Sequence, residues 1–427
     1  MMFYKLKAGA LQFTMFIVVV IALLLAAFII LIHTHKQFSI QNDFVLETIN
    51  NSKKGIAYAL ENTIRTNDTI SIRLQDQDYK TLLVHRDYWG LYEKMVSISK
   101  IKTNTFKRIA LVGASQPKTD RVALYVEEQN KPLVVVGNTK IQGVAYLPKQ
   151  GVRTGNIAGH AYYGDQLIYG KTKTSHSLPE LLSKTYKQLK DVNNTIKDIS
   201  GDHFLDVTSN RTHKNSFYNP IQIVYSNTDI NLSGITLMGH IIVQSKTKIT
   251  VDASSNLKDV ILIAPVIDIK NHVMGTFQTI ASKKINVGKN CKLNYPSALI
   301  LNQTTVSISS NVISNQKNEF QGIMIDKGTE IRGTVVYSET EKQKNFKAQV
   351  IIEEGATITG EVYCNRNLEL KGRVYGSVFT SNFVANQSGS IYQNHIYNGR
   401  ILINELPEEY VGLPFKNSKK DVIKWLY

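Results

Sequence analysis

The stretch from residue 241 to residue 308 reads IIVQSKTKITVDASSNLKDVILIAPVIDIKNHVMGTFQTIASKKINVGKNCKLNYPSALILNQTTVSI. Ile242, Ile261, Ile280 and Leu299 recur in it at steps of 19. A second series, Ile249, Ile267, Ile285 and Val306, is shadowed two residues on by Val251, Ile269, Val287 and Ile308. Residues two apart point to the same face of a strand, so each pair marks a short strand with one apolar face. Turn residues separate these strands: Ser245-Lys246, Lys270-Asn271 and Gly288-Lys289-Asn290. A period near twenty made of strands marks a solenoid, because one repeat cannot bury its apolar face and stacked repeats can. The expected fold class is mainly β: a right-handed parallel β-helix, with Ile242, Ile261, Ile280 and Leu299 stacked in one inward column.

Upstream, residues 10–32 carry no charged side chain and include FIVVVIALLLAAFIILI. Such a run is long enough to cross a bilayer as a helix. It exceeds the apolar region of a cleaved signal and lacks the small-residue cleavage site that should follow one. A retained transmembrane helix is therefore expected at 10–32, after a short leader or cytoplasmic tail at 1–9. Lys5 and Lys7 before the span, and the large polar body after it, place the N-terminus inside. Ile40, Phe44, Ile49, Ile56, Leu60 and Ile64 continue at helical spacing, so residues 33–65 read as a helical stalk, weakened locally by Asn50-Asn51-Ser52 and Gly55. The basic leader, the Gly9-Ala10 junction, the apolar span and the amphipathic extension resemble the N-terminal region of type IV pilins and pseudopilins. That resemblance implies cleavage after Gly9 and assembly through the helix. In the family the fifth residue of the mature chain is usually glutamate; here it would be Thr14.

Residues 66–174 read as a β-rich domain, with strands at 70–74, 81–84, 108–112, 122–126 and 133–136 and a packing cluster at Trp89-Gly90-Leu91-Tyr92. An Ile-x-Gly element, Ile141-Gln142-Gly143, recurs later in the chain, which suggests that the first coils begin near Ala123. An interruption is expected at 175–215. There Ser177-Leu178-Pro179-Glu180 reads as a capping box with proline in the first turn, opening a surface helix to about Asp198.

The parallel β-helix is assigned to residues 216–404. Its period loosens after Leu299, with insertions near 309–320 and 338–346. It resumes as Ile331-Arg332-Gly333, Ile358-Thr359-Gly360 and Leu370-Lys371-Gly372, echoed by Gly376-Ser377-Val378 and Gly389-Ser390-Ile391. A glycine after an inward residue suits a corner needing positive φ or close backbone approach. These elements, over roughly 320–395, resemble the polymer-forming bactofilins, which implies a right-handed β-helix able to self-assemble. The non-periodic residues 405–427, with Pro407, Pro414, Trp425 and Leu426, are expected to cap the final coil.

Net charge is +16, from 50 Lys and Arg against 34 Asp and Glu, and it is spread along the chain. Its densest spot is Lys100, Lys102, Lys107 and Arg108. Weak attraction to an anionic polymer (glycan, lipid headgroup or DNA) is the functional reading of this excess, and a solvated surface the plain one. Cys291 and Cys364 are too few for a disulfide framework or a zinc site and read as small buried residues. A lyase or hydrolase would need carboxylates gathered on one face. Asp229, Asp252, Asp259 and Asp268 do not recur at the coil period. The doublets Asp76/Asp78, Glu353/Glu354 and Glu408/Glu409 read as solvated. Asp198, Asp202, His203 and Asp206 read as a turn with polar caps rather than a metal site. No catalytic, cofactor-binding or metal residue is assigned, no cofactor is implied, and the chain is not expected to be an enzyme. The expected role is a membrane-anchored structural or surface-binding protein of the bacterial envelope, pilin-like or polymer-forming. It would be held in the membrane by 10–32, with its body exported and with protein partners or copies of itself beside it. A glycan-binding or glycan-cleaving β-helix and a DNA-binding surface protein are the alternatives.

Overall fold

The computed structural model describes residues 8–74, 79–117, 119–181, 203–207, 210–303, 320–340, 345–416 and 418–427. The protein is mainly β, with one long N-terminal helix, Ala8–Glu61. The chain forms two compact units, Met1–Tyr58 with Thr69–Val84 and Ser97–Arg108, and Ala59–Asp68 with His85–Val96 and Ile109–Tyr427. Three long strands, Lys80–Trp89, Tyr92–Ile101 and Asn104–Ser115, give residues to both.

In the first unit the helix runs unbroken through Asn50-Asn51-Ser52 and Gly55. Thr48, Asn51, Ser52 and Ile56 are buried there. Gly55 faces the 97–108 segment so closely that a Cβ would stand 2.1 Å from Ser97 Oγ. The small polar residues that weaken helix propensity are thus what lets the strands approach.

The second unit is built from parallel ladders that close into a barrel. The first runs Gln222–Ser226, Ile241–Ser245, Asn256–Ile269, Met274–Val287, Lys292–Gln303, Glu330–Glu339, Thr357–Leu370 and Arg373–Gln387. Beyond Arg373–Gln387 the next strand comes from earlier in the chain: Val378 pairs with Leu124, and Val144–Leu147 and Thr172–Thr174 follow. The coils that begin near Ala123 therefore lie past the C-terminal coil, and among the described residues the ladder resumes with Phe204, which bridges Ile223 in parallel, and the strands at 212–226. Its ten steps, at about 4.8 Å each, separate Thr174 from the 222–226 strand by about 48 Å. The helix expected within 175–215 lies mostly outside the described residues. Its described start, 177–181, is not helical: Leu178 and Leu181 are buried, and Leu181 bridges to Phe415.

The second ladder keeps an even spacing over three successive rungs. Ile249, Ile267 and Ile285 stack, as do Val251, Ile269 and Val287. Val306 and Ile308 lie outside the described residues, and the next rung is supplied by Ile323 and Ile325, followed by Val350/Ile352 and Leu368/Leu370. All of these face one apolar core. A third ladder brings Leu237, Leu257, Leu293, Ile331, Ile358, Val374, Ile401 and Ile141 to the same core.

The 19-residue column is corrected. In the first ladder the inward residues are Val243, Leu262, Thr279, Leu299, Val335, Val362 and Val378. Ile242 and Ile261 pair with each other but point outward; Ile261 is followed by Gln278, and Ile280 stacks between Ile263 and Ile300. Bulges at Lys258/Val260 and Ala264/Val266 remove the constant step. The outward isoleucines are still buried, Ile261 to 2 % exposure. A cover lies over this face: Trp89 Nε1 donates to the Asp259 carbonyl, and Gln278 receives the Leu91 N–H and donates to the Trp89 carbonyl.

The C-terminal segment belongs to the same cover and does not cap the final coil. From Leu406 it runs back along the stack. Tyr410 Oη donates to the Gly333 carbonyl, Tyr295 Oη donates to the Val411 carbonyl, Lys424 pairs with Asp259, and the Tyr427 carbonyl accepts from Phe217. Its strands Val411–Gly412 and Lys420–Leu426 pair antiparallel with Asn104–Ser115, at residues 109–115. Beside the terminal rungs other residues pack against the core: Tyr162, Leu167 and Ile168 where Gly137 and Gln142 bridge Tyr162 and Tyr169, and Leu205 and Val207 where Phe204 bridges Ile223.

Candidate functional site

The first candidate is the helix itself. Between residues 10 and 32 its apolar side chains are exposed throughout, from Leu11 at 76 % to Ile32 at 64 %. The stretch is long and apolar enough to cross a membrane. Its 23 residues rise about 35 Å at 1.5 Å each, against a hydrocarbon thickness of about 30 Å. Every backbone group of a helix is satisfied internally except at its ends, which hydrocarbon requires. The threonine within it complies as well: Thr14 donates to the Ala10 and Leu11 carbonyls, and just beyond the stretch Thr34 donates to that of Ile30. Thr14, the position where the pilin resemblance expects an acid, is thus a hydroxyl turned back onto its own helix.

The basic spot at 100–108 is largely occupied. Lys102 Nζ stands 4.7 Å from the centre of the Phe44 ring and 5.4 Å from that of Tyr79. Arg108 Nε lies 3.4 Å from Ser52 Oγ, at hydrogen-bond distance. Lys80 is paired with Glu47 at 2.5 Å. These cations tie the strands of the first unit to its helix, a cation–π and ion-pair role that charge counting does not reveal.

In the second unit the most unusual chemistry surrounds Glu361. Its side chain is buried on the outward face of the first ladder, where it accepts from Gln116 Nε2 and, at 2.5 Å, from the Leu413 N–H. Tyr92, Tyr295 and Tyr410 are its titratable neighbours, and all three phenols are spent on other acceptors or hydroxyls. Burial pushes the carboxyl up to about 7, against the opposing pull of Leu413 and Gln116. Further along the same strand, burial pushes the Cys364 thiol up to about 12. Cys291 is raised by burial too, and both cysteines are free and buried. Such thiols are inert as nucleophiles. Nothing in the local sequence Gly360-Glu361-Val362 marks Glu361 as buried; its neighbours come from the cover, far away in the chain.

A nearby ion cluster is conventional. Arg86 pairs with Glu93, which also holds Lys420 at 2.7 Å, and Lys94 pairs with Asp87 at 2.8 Å. On the second ladder Asp268 accepts from Asn286 at 3.0 Å and from Lys270 at 2.7 Å, with Lys248 at 3.4 Å. Burial would raise this carboxyl, but those partners outweigh it and hold it below the usual range. Asp268 borders an open cavity of about 470 Å³ that also takes in Asp229.

Among the described residues no group of three or more His, Cys, Asp or Glu side chains gathers to hold a metal. His203 Nδ1 donates to the Ile221 carbonyl at 2.8 Å, beside the ladder end; Asp198 and Asp202 lie outside the described residues, as do Asp76 and Asp78. Glu353 is paired with Lys371, which also holds Glu369.

No family model and no curated protein matches the sequence. Among solved structures, the crystal structure of the competence-associated pilin ComZ from Thermus thermophilus is similar at 8 % identity, over 86 % of this chain and 89 % of that one, with a TM-score of 0.19. A likeness of that size carries no argument about fold or function.

Proposed function

We propose that this chain is a membrane-anchored structural subunit of the cell envelope, acting without turnover. Residues 10–32 span the membrane with the N-terminus inside, and the exported body is a right-handed parallel β-helix that offers a stiff surface to protein partners or to further copies. The observation that carries this reading is the uncharged, exposed apolar stretch at 10–32, whose helix continues directly into a folded unit. Parallel strands joined by short crossovers support the right hand. The pilin-like part rests on the helix and its leader. The bactofilin-like part, end-on stacking, is the less favoured route of assembly, because apolar residues outside the ladders pack against the core beside the terminal rungs. Lateral contact through the helix fits better.

The test is fractionation of cells making the full chain. The protein should sediment with membranes, resist carbonate, and need detergent for release; release by salt or carbonate would overturn the anchor. Protease added outside should digest the body and leave the first residues protected. The reverse pattern would overturn the orientation. A mature chain starting at Ala10 would support pilin-type processing within the same reading.

A further inference from the structure

The open cavity beside the second ladder has contents that suit one kind of ligand. Its volume is about 470 Å³, within the range of small-ligand sites. Asp229, Lys248, Asp268, Lys283, Asn286 and Phe320 line it. The ladder sets their spacing: Asp268 and Asn286 are register partners on adjacent rungs, about 4.8 Å apart along the stack. Their positions alternate with the inward Ile267 and Ile285, so both side chains face away from the core. Asp268 is held by Asn286, Lys270 and Lys248, and Asp229 accepts from Thr247 at 2.6 Å. The wall is therefore rigid before any ligand arrives, which lowers the cost of binding. Phe320 is half-buried and supplies an apolar surface, while Lys283 is exposed at the cavity.

We propose that this groove binds an acidic oligosaccharide, a strand of uronate-type sugar. Carboxylates and amides on fixed rungs accept from and donate to ring hydroxyls, the aromatic ring takes the apolar face of a sugar, and the Lys283 ammonium pairs with the sugar carboxylate. A neutral sugar leaves the exposed Lys283 unused. This site is independent of the membrane anchor, and variants in it leave fractionation untouched.

The experiment uses the full chain in neutral-detergent micelles, with calorimetric titration of tetragalacturonate, cellotetraose and a twelve-nucleotide oligothymidylate. Tetragalacturonate should bind saturably, and each of the other two at least tenfold more weakly. Lys283→Glu and Phe320→Ala, one exposed and one half-buried, should each weaken tetragalacturonate at least tenfold with the thermal midpoint unchanged. Lys100→Glu, a charge change in the other unit, should leave it within twofold. The proposal is overturned by the absence of saturable binding, by equal or tighter binding of oligothymidylate or cellotetraose, by full affinity in both groove variants, or by a matching loss in Lys100→Glu. If Phe320→Ala lowers the thermal midpoint, Lys283→Glu alone decides between these outcomes.

Discussion

The Glu361 carboxylate receives the Leu413 N–H at 2.5 Å inside a fully buried site, so a single side chain of the ladder holds the backbone of the C-terminal cover. Gly412 permits the approach: a Cβ there would stand 2.1 Å from Glu361 Oε2. Burial makes the charged form of Glu361 costly, and the hydrogen bonds from Leu413 and Gln116 offset that cost only in part.

That arrangement makes stability depend on pH in a stated direction. The folded carboxyl titrates near 7 and the free one near 4.5. Because the folded value is raised, the contribution is complete below about pH 4.5 and is lost as pH rises through about 7. The full loss is on the order of 3 kcal/mol, at about 1.4 kcal/mol for each tenfold change in proton affinity. Thermal unfolding between pH 4 and 9 should show the midpoint falling between about pH 4.5 and about 7 and levelling above that. Glu361→Gln keeps an acceptor for Leu413 but cannot ionise, so it should flatten that limb. An unchanged fall between about pH 4.5 and 7 in the variant would remove Glu361 as its source. On the acid side Asp268 acts oppositely: its depressed ionisation contributes above the usual carboxylate range and is lost as pH falls through the depressed value.

The ladders differ in how far the sequence exposes them. Ile249, Ile267 and Ile285 repeat legibly because the strand and corner between them keep one length on successive rungs. Ile242, Ile261 and Ile280 share an equal step by coincidence, since bulges at 258/260 and 264/266 shift one rung against the next. A two-residue periodicity also cannot tell an inward apolar face from an outward one that another segment covers. Ile261 needed Trp89–Tyr92 and the C-terminal cover to be understood. The same holds for Glu361, whose burial is created by residues far from it in the chain, Leu413 and Gln116. The destination of residues 122–174 was equally hidden, because short apolar strands carry no mark of which neighbour they will pair with.

The corrected register predicts a contrast between neighbours. Leu262 points into the core at full burial, and Leu262→Ala should cost roughly 2–5 kcal/mol through the cavity it leaves. Ile261→Asp should also prevent folding, since the cover leaves its charge no water. Lys246→Asp and Lys289→Asp, at exposed corners, should change stability within about 0.5 kcal/mol. Denaturant midpoints would measure all four. Corner variants as damaging as Leu262→Ala would mean the register is still wrong.

Gly333, Gly360 and Gly376 stack on consecutive rungs, with φ of +146°, +147° and +151°. A Cβ on Gly360 would lie 1.9 Å from the Gly333 carbonyl oxygen, which is backbone and cannot step aside. Gly360→Ala should therefore disrupt two rungs and lower the midpoint severely. Gly355, at φ +78°, has its nearest neighbouring atom 3.7 Å from the built Cβ. Gly355→Ala should cost only the left-handed backbone penalty, about 1–2 kcal/mol. Equal losses at the two sites would show that φ, and not the close approach, sets the requirement.

The path of the C-terminal segment can be read by deleting residues 420–427 and following amide hydrogen exchange. Val422, Lys424 and Trp425 are register partners of Val112, Leu111 and Ala110, and Lys424 clamps Asp259. Removing them strips an edge from the 109–115 strand and uncovers the outward isoleucines near Asp259. Exchange should therefore accelerate at 109–115 and at 257–263. The rung formed by Arg400–Leu402 with Lys140–Gln142 touches none of the deleted strand in its pairing and should keep its protection. A segment that capped the last coil would give the opposite map, with 400–402 opening first and 257–263 unchanged.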